Sequence, residues 1–277
     1  MRFLYCGDIV GRAGREAVLD RLPDLRRAFD LDFVVANGEN AAHGFGITAK
    51  ICGELFEAGV DVITSGNHIW DQKEILHHID HEPRLLRPCN LAEDMPGRGA
   101  GVFENAAGRR LAVVNLMGAL FMPPVEEPFD ALDAVLDRFP LGGAADALLV
   151  DIHAEATSEK MAVGHICDGR ASLVVGSHSH VPTADCRILP GGTAYQTDAG
   201  MCGDYDSVIG MEKTGALDRF RGREGARRLE PATGDGTLCG VFVETDDSTG
   251  LARYVASVRQ GGDLSGTAPR TDQAGTD

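Results

Sequence analysis

The stretch Arg2-Phe-Leu-Tyr-Cys6-Gly-Asp8-Ile-Val-Gly11 is the first unit of the fold. Arg2–Cys6 is a short apolar run that predicts a buried strand, and the glycine-rich segment Gly7–Gly14 predicts a turn after it. Val18, Leu22 and Leu25 then recur at helical spacing. A strand, a glycine-rich turn and a helix in this order are typical of an α/β protein with parallel strands.

The same order of elements repeats twice in the next fifty residues. Phe33–Ala36 is a short apolar run, and Thr48 is suited to cap a helix that continues through Glu57. Val60–Thr64 is a third strand and leads into Ser65-Gly66-Asn67-His68. Repeated strand, loop and helix units predict parallel strands joined by right-handed crossovers.

The pattern changes in the second half of the chain. Further strands, one hairpin and two helices are predicted at Ala100–Glu104, Leu111–Leu116, Phe129–Phe139 (helix), Ala147–Ile152, Thr157–Cys167 (helix, capped by Thr157), Leu173–Gly176, Arg187–Leu189, Thr193–Gln196, Thr237–Glu244 and Leu251–Arg259. Helical crossovers first and hairpins later predict two mixed β-sheets packed face to face, with helices on both outer sides. We expect a single domain over residues 1–260, followed by a polar tail over 261–277.

Composition excludes several classes of function. The net charge of −16 argues against a protein that holds long nucleic acid by its phosphate backbone, since that needs clustered Lys and Arg. The apolar stretch Leu111–Met122 contains Asn115 and ends at Pro123-Pro124, so it does not predict a membrane span. Exposure of Leu116–Met122 would favour a homo-oligomer, although burial against the second sheet explains this segment equally well.

Cysteine usage indicates the compartment. The chain has seven scattered cysteines and no Cys-x-x-Cys pair, which favours reduced thiols over a disulfide framework or a zinc ribbon. The N-terminus reaches charged residues too soon for a secretory signal peptide. We therefore expect a cytoplasmic protein.

Seven potential metal ligands follow the predicted strands, together with one further histidine, His68. The seven are Asp8, Glu39, Asn40, Asn67, His153, His178 and His180. Each one alone is explained equally well as a turn, a cap or a core residue, but five strand ends in succession deliver such side chains. Strand ends of an α/β sheet meet at one edge, and seven donors are too many for one tetrahedral site. The pattern predicts two adjacent metals, an arrangement that cleaves phosphate esters.

The motifs that contain these residues resemble a known family. They are Cys6-Gly-Asp8-Ile-Val-Gly11, Ala36-Asn-Gly-Glu39-Asn40-Ala, Ser65-Gly-Asn67-His68-Ile-Trp70-Asp71, Asp151-Ile-His153-Ala-Glu155-Ala-Thr-Ser-Glu-Lys160 and Gly176-Ser-His-Ser-His-Val-Pro-Thr-Ala-Asp185. The chain is similar to the calcineurin-like metallophosphoesterases, and among them to a bacterial subgroup of cyclic-nucleotide phosphodiesterases. That resemblance implies a four-layer α/β/β/α sandwich and a small phosphodiester substrate, a 2′,3′-cyclic or 3′,5′-cyclic nucleotide.

The resemblance also implies a role for each residue. One metal would be held by Asp8, Glu39, Asn40 and His180, and the other by Glu39, Asn67, His153 and His178. Glu39 would bridge the two ions, a bridging hydroxide would attack phosphorus, and His68 would act as general acid toward the leaving oxygen. The motifs specify no substrate-binding residue.

Two positions depart from the wider family. The first motif there is Asp-x-His, whereas this chain has Val10, and the second is Gly-Asp, whereas this chain has Gly38-Glu39-Asn40. An oxygen donor in place of an imidazole favours two divalent or mixed-valence ions of iron or manganese, with zinc as a further candidate.

Three alternatives compete with this interpretation. A Rossmann dinucleotide site is disfavoured because Gly7, Gly11 and Gly14 miss the Gly-x-Gly-x-x-Gly spacing. The second alternative is a regulatory metal-binding protein that signals through protein contacts, and His68 argues against it. The third is a phosphatase that acts on other phosphate esters.

Overall fold

The computed structural model describes residues 1–223, 225 and 228–270. The helices in this part of the chain are α1 (Gly11–Phe29), α2 (Ala49–Glu57), α3 (Ile75–His78), α4 (Pro128–Arg138), α5 (Thr157–Ile166) and α6 (Lys213–Phe220). The strands are β1 (Arg2–Cys6), β2 (Asp8–Ile9), β3 (Phe33–Asn37), β4 (Val62–Thr64), β5 (Ala100–Glu104), β6 (Arg110–Met117), β7 (Ala147–His153), β8 (Leu173–Ser177), β9 (Arg187–Ile188), β10 (Ala194–Gln196), β11 (Met201–Cys202), β12 (Leu238–Thr245) and β13 (Ala252–Gln260).

The strands form two large sheets and a small one. The first sheet has the order β13-β12-β1-β3-β4, the second has the order β5-β6-β7-β8-β10-β9, and β11 pairs with β2. β1, β3 and β4 run parallel, as do β6, β7 and β8, whereas β12 and β5 pair antiparallel with their neighbours. The predicted mixed α/β class is therefore confirmed.

Alternation along β1 explains why this strand has apolar residues on both faces. Leu4 and Cys6 share a core cluster with residues of α1 and α2. Phe3 and Tyr5 point the other way, into a second cluster that contains residues of β6, β7 and β8. Successive side chains of a strand face opposite sides, so a strand buried on both faces is a continuous apolar run.

The second sheet is covered in the same manner on its other face. Leu149 of β7 belongs to the cluster shared with β1, whereas Leu148 and Val150 pack with Leu132 of α4 and Val163 of α5. Full burial of such a side chain contributes roughly 1.5–3 kcal/mol. The pairing of clusters thus fixes the height of β7 and, with it, the position of the strand's last residue, His153.

Helix boundaries confirm some sequence predictions and correct others. The side chain of Thr48 accepts a hydrogen bond from the Ile51 backbone N–H at the start of α2, as predicted. Thr157 was predicted to cap α5, and this is wrong: Ala156 occupies the N-cap and Thr157 is the first helical residue. α1 begins at Gly11, inside the segment predicted as a turn, and α6 was not predicted.

The predicted C-terminal tail lies partly within the described residues. Arg259 and Thr267 exchange backbone hydrogen bonds of 2.9 and 3.0 Å, and Arg270 N–H donates to Tyr254 Oη at 2.9 Å. This segment therefore lies against β13. Residues 271–277 of the predicted tail lie outside the described residues. Among the described helices, none combines the length and apolar character that a bilayer crossing needs.

Candidate metal centre

All the predicted ligands lie in one cluster, at or just beyond the ends of strands. Asp8 lies on β2, His153 ends β7, and the others follow β3, β4 and β8 within four residues. The donors form two groups, and within each group the ligand atoms lie within 4.8 Å of one another: Glu39, His153 and His178 form one, and Asp8, Glu39 and His180 form the other. Glu39 belongs to both groups, which is the arrangement expected of a bridging ligand.

Lone-pair donors crowd around His153 in the first group. Its Nε2 lies 3.2 Å from Glu39 Oε2, 3.1 Å from Asn67 Oδ1 and 3.1 Å from His178 Nδ1. Two ligands of one ion bound at about 2.1 Å are separated by about 3 Å. The spacing of these side chains therefore fits a shared cation.

In the second group some distances between donor atoms are longer than in the first, but the residues are more deeply buried. His180 Nε2 lies 3.1 Å from Asn40 Oδ1 and 4.0 Å from Asp8 Oδ1. Asp8, Glu39, Asn40 and His180 are all buried, with at most 6% of any of them exposed. Buried charges need a partner of opposite sign, and a divalent cation would provide it.

The backbone at Gly66 lies so close to these donors that it leaves no room for a side chain. A Cβ at this position would collide with His153 Nε2 and with Glu39 Oε2. The residue between Ser65 and Asn67 must therefore be glycine if both donors are to keep their positions. The glycine of the Ser65-Gly66-Asn67-His68 motif thus has a steric reason.

The charges of the cluster perturb one another strongly. Burial lowers the pKa of His153, but the carboxylates of Glu39 and Asp8 outweigh it and raise that pKa to about 9. Burial raises the pKa of Glu39, yet His153 dominates and brings it to about 2. Burial and then His153 lower the pKa of His178 to about 3, and burial raises that of Asp8 to about 7. His153 and His178 are adjacent and are not protonated together at neutral pH. A metal cation can bind an imidazole nitrogen that carries no proton.

The loop that carries His178 and His180 is held in an uncommon conformation. Both residues have positive φ angles, 89° and 65°. Buried Lys160 donates to Ser177 O at 2.7 Å and to Asp198 Oδ2 at 2.8 Å, and Asp198 also accepts from Ser179 Oγ. A strained backbone of this kind persists only where the surrounding contacts hold it in place. The ion pair between Lys160 and Asp198 provides such contacts on both sides of His178.

His68, the predicted general acid, lies at the edge of the cluster. Its side chain is 29% exposed, and its Nδ1 lies 2.9 Å from Asp71 Oδ2. The ring also packs edge-on against Phe45, with ring centroids 5.1 Å apart. The backbone N–H of His68 donates to Glu39 Oε2 at 3.2 Å, which links it to the shared carboxylate. The hydrogen bond to Asp71 therefore holds the ring through Nδ1, and Phe45 packs against it.

Sequence reasoning missed a buried carboxylate beneath the ligands. Asp151 lies two residues before His153 on β7 and is fully buried. The available signal was an acidic residue inside the apolar run Ala147–Ile152, because a charge in a buried strand must have partners. Glu155, two residues after His153, also contacts the cluster: its Oε2 lies 3.3 Å from His178 Nε2.

Comparison with known proteins identifies the family. A model of the family described as "YmdB-like protein" matches residues 4–258 of this chain. The chain belongs to this family. The chain is 47% identical over 249 residues to a 2′,3′-cyclic-nucleotide 2′-phosphodiesterase of Bacillus subtilis (strain 168), an alignment that covers 90% of this chain and 93% of that protein.

Solved structures agree with this assignment. A hypothetical protein of Thermus thermophilus superposes with a TM-score of 0.86 at 41% identity, covering 95% of this chain and all of that one. A phosphatase of Mycoplasma pneumoniae superposes with a TM-score of 0.86 at 36% identity, covering 95% and 94%. The predicted family is confirmed for this YmdB-like protein, and so is the predicted class of enzyme, a phosphoric diester hydrolase.

Proposed function

We propose that the protein is a dinuclear-metal phosphodiesterase that hydrolyses 2′,3′-cyclic nucleotides. The observation that carries this proposal is that Glu39 belongs to both donor groups. The substrate is inferred from the Bacillus subtilis relative, which is named for its action on 2′,3′-cyclic nucleotides. The three core clusters support the four-layer α/β/β/α arrangement as one domain over residues 1–260.

The donor set fits a pair of divalent cations. Asp8, Asn40 and His180 would hold one ion, and Asn67, His153 and His178 would hold the other, with Glu39 shared. Such a pair, when bound, supplies a nucleophile at neutral pH and neutralises the charge of the phosphate. Amide and carboxylate side chains beside three imidazoles favour iron or manganese, and zinc is the third candidate.

The residues around the ions have separable tasks. The shared carboxylate of Glu39 also accepts the His68 backbone N–H, so the general acid is tied to the position of the ions. Asp71 holds Nδ1 of His68, and this leaves Nε2 to carry a proton toward the substrate. When the bond between phosphorus and the ribose O2′ breaks, a water oxygen joins phosphorus and the departing O2′ takes the proton from His68. The attacking water loses one proton to solvent, and a proton from solvent restores His68.

Surface charge and cysteine state are consistent with a small substrate in a cytoplasmic protein. The net charge of −16 disfavours long nucleic acid, whereas a single nucleotide phosphate would meet the local positive charge of bound ions. All seven cysteines, which lie within the described residues, are free. Self-association stays a prediction that gel filtration with light scattering will test.

A second candidate activity is hydrolysis of phosphate monoesters. It is favoured by the Mycoplasma pneumoniae structure, which is described as a novel phosphatase. Two further functions differ from this proposal: hydrolysis of 3′,5′-cyclic nucleotides, and signalling through protein contacts with little turnover. An assay on several substrates distinguishes both of them from hydrolysis of 2′,3′-cyclic nucleotides.

A matrix of metals and substrates tests the proposal. Metal-stripped protein is reloaded with iron(II), manganese, zinc or magnesium and assayed on 2′,3′-cyclic AMP, 3′,5′-cyclic AMP and p-nitrophenyl phosphate. We expect the highest kcat/KM on the 2′,3′-cyclic substrate with manganese or iron, and release of the 3′-monophosphate. Equal rates with and without metal, or turnover of the monoester alone, would overturn the assignment.

A further inference from the structure

Asp151 is the acceptor for four buried side chains from four different strands. Its Oδ2 accepts from Tyr5 Oη at 2.8 Å, Thr64 Oγ1 at 2.5 Å and Asn37 Nδ2 at 3.2 Å. Its Oδ1 accepts from Ser177 Oγ at 2.7 Å. Tyr5, Asn37 and Thr64 belong to the first sheet, whereas Ser177 belongs to the second, so the carboxylate joins both sheets directly below the ligands.

Ser177 connects this carboxylate to a proposed metal ligand. Its hydroxyl oxygen lies 2.9 Å from His153 Nδ1 and gives its proton to Asp151. A hydroxyl has a single proton to donate, so toward His153 it acts as an acceptor and Nδ1 carries a hydrogen. In the neutral imidazole this leaves a bare lone pair on Nε2, the atom that faces Glu39, Asn67 and His178.

Asn37 connects the same carboxylate to the shared ligand. Its Nδ2 donates to Asp151 and to Ser65 O, while its Oδ1 accepts from the Glu39 backbone N–H at 3.0 Å. The side-chain amide therefore braces the Gly38-Glu39-Asn40 turn at the end of β3. Asp151 thus reaches both donor groups, although its own oxygens are buried below them and fully occupied.

We propose that Asp151 is a positioning residue of the metal centre, which presents Nε2 of His153 through Ser177 and braces the Glu39 turn through Asn37. The inference rests on the proposed function because it takes His153 and Glu39 as metal ligands. A merely structural Asp151 would stabilise the join between the sheets without changing metal affinity. Partners of this kind typically contribute about 10–100-fold to metal affinity.

Replacement of Asp151 by asparagine tests the relay with little change in volume. An amide nitrogen facing Ser177 would make that hydroxyl an acceptor there and a donor to Nδ1, which moves the imidazole proton to Nε2. An amide nitrogen on the other side would instead meet the donors of Tyr5, Thr64 and Asn37. Either orientation disturbs the network, so we expect Asp151→Asn to bind Mn²⁺ about 10–100-fold more weakly.

The experiment is calorimetric titration of metal-free protein with Mn²⁺, with thermal melting as the measure of folding. Ser177→Ala removes the relay with a smaller change than Asp151→Asn, and it tests the proposal if Asp151→Asn fails to fold. Ser172→Ala is the matched control, because Ser172 is also a buried serine, beside the other end of β8, and its hydroxyl bonds to Gly250 O and Leu148 N–H. We expect weaker Mn²⁺ binding in Ser177→Ala and unchanged binding in Ser172→Ala.

A double-mutant cycle with His153→Ala decides how Ser177 acts. If it acts through His153, Ser177→Ala is expected to change the Mn²⁺ dissociation constant less than about twofold in the His153→Ala background. Equal losses in both backgrounds, or a lower Tm with wild-type Mn²⁺ affinity in Ser177→Ala and Asp151→Asn, would overturn the inference. If His153→Ala itself leaves Mn²⁺ binding unchanged, the proposed function fails instead.

Discussion

The two halves of the donor cluster differ in their access to solvent. Asp8, Asn40 and His180 form a closed half in which no residue is more than 6% exposed. Asn67, His153 and His178 form an open half: His153 is fully buried, but Asn67 is half-buried and the His178 side chain is 23% exposed. We infer that the closed half retains its ion, whereas the open half receives the substrate. Glu39 is the donor that the two halves share, so a change in its position or charge affects both.

The largest effect is expected at this shared residue. Glu39→Gln removes the charge that both halves use, so metal analysis should find both ions lost and phosphodiesterase activity abolished. Glu54→Gln, a carboxylate on α2 that pairs with Lys50, is the matched control and should keep both. Two ions at full occupancy and wild-type rates in Glu39→Gln would remove the basis for treating the halves as coupled.

A smaller loss, confined to chemistry, is expected at His68. His68→Ala should lower kcat by about 10²–10⁴-fold while both metals stay bound, because we propose that this side chain gives a proton and holds no ion. His165→Ala, at an exposed position on α5, controls for removal of an imidazole and should leave kcat unchanged. Loss of metal from His68→Ala, measured by elemental analysis, would mean that His68 is a ligand.

The difference in exposure itself predicts an order of metal loss. With a chelator, wild-type protein should release one equivalent from the open half first and the second more slowly. His178→Ala should then retain the slow equivalent alone, and His180→Ala should lose it, as followed by elemental analysis over time. Simultaneous release of both equivalents in the wild type would show that burial does not separate the halves.

The smallest expected effect is the release of protons when Mn²⁺ binds. With a pKa of about 9, His153 is protonated in the metal-free protein at neutral pH and must release that proton to bind an ion, whereas Glu39, with a pKa of about 2, is already ionised. Asp8, with a pKa of about 7, is partly protonated at neutral pH as well. Mn²⁺ binding should therefore release about one proton from His153 and a further fraction of a proton from Asp8, and it should tighten as pH rises from about 6 to about 9. Titration calorimetry in Hepes and in Tris measures this release, and a heat independent of the buffer would exclude it.

The strands that the sequence predicted best are those that are buried on both faces. β1, β3, β7 and β8 were placed to within a residue or two because strands buried on both faces are continuous apolar runs. The ligand positions followed, since each lies where such a run ends. α6 was missed because Lys213–Phe220 is only eight residues long and its apolar residues, Ala216, Leu217 and Phe220, cover little more than one helical turn.

The polar floor of the site was beyond sequence reasoning for a different reason. Tyr5, Asn37, Thr64 and Ser177 meet Asp151 from strands of both sheets, and the sequence does not state how the sheets are aligned. The same limit applied to the Lys160–Asp198 pair, whose residues are 38 positions apart. Contacts between segments far apart in the chain depend on packing, which local patterns do not encode.

Anomalous diffraction from crystals of the manganese-loaded protein shows whether two ions share the Glu39 carboxylate. We expect two manganese peaks about 3.5–4 Å apart, one toward Asp8 and His180 and the other toward His153 and His178, with Glu39 between them. A single peak, or two peaks of which one lies away from Glu39, would contradict it.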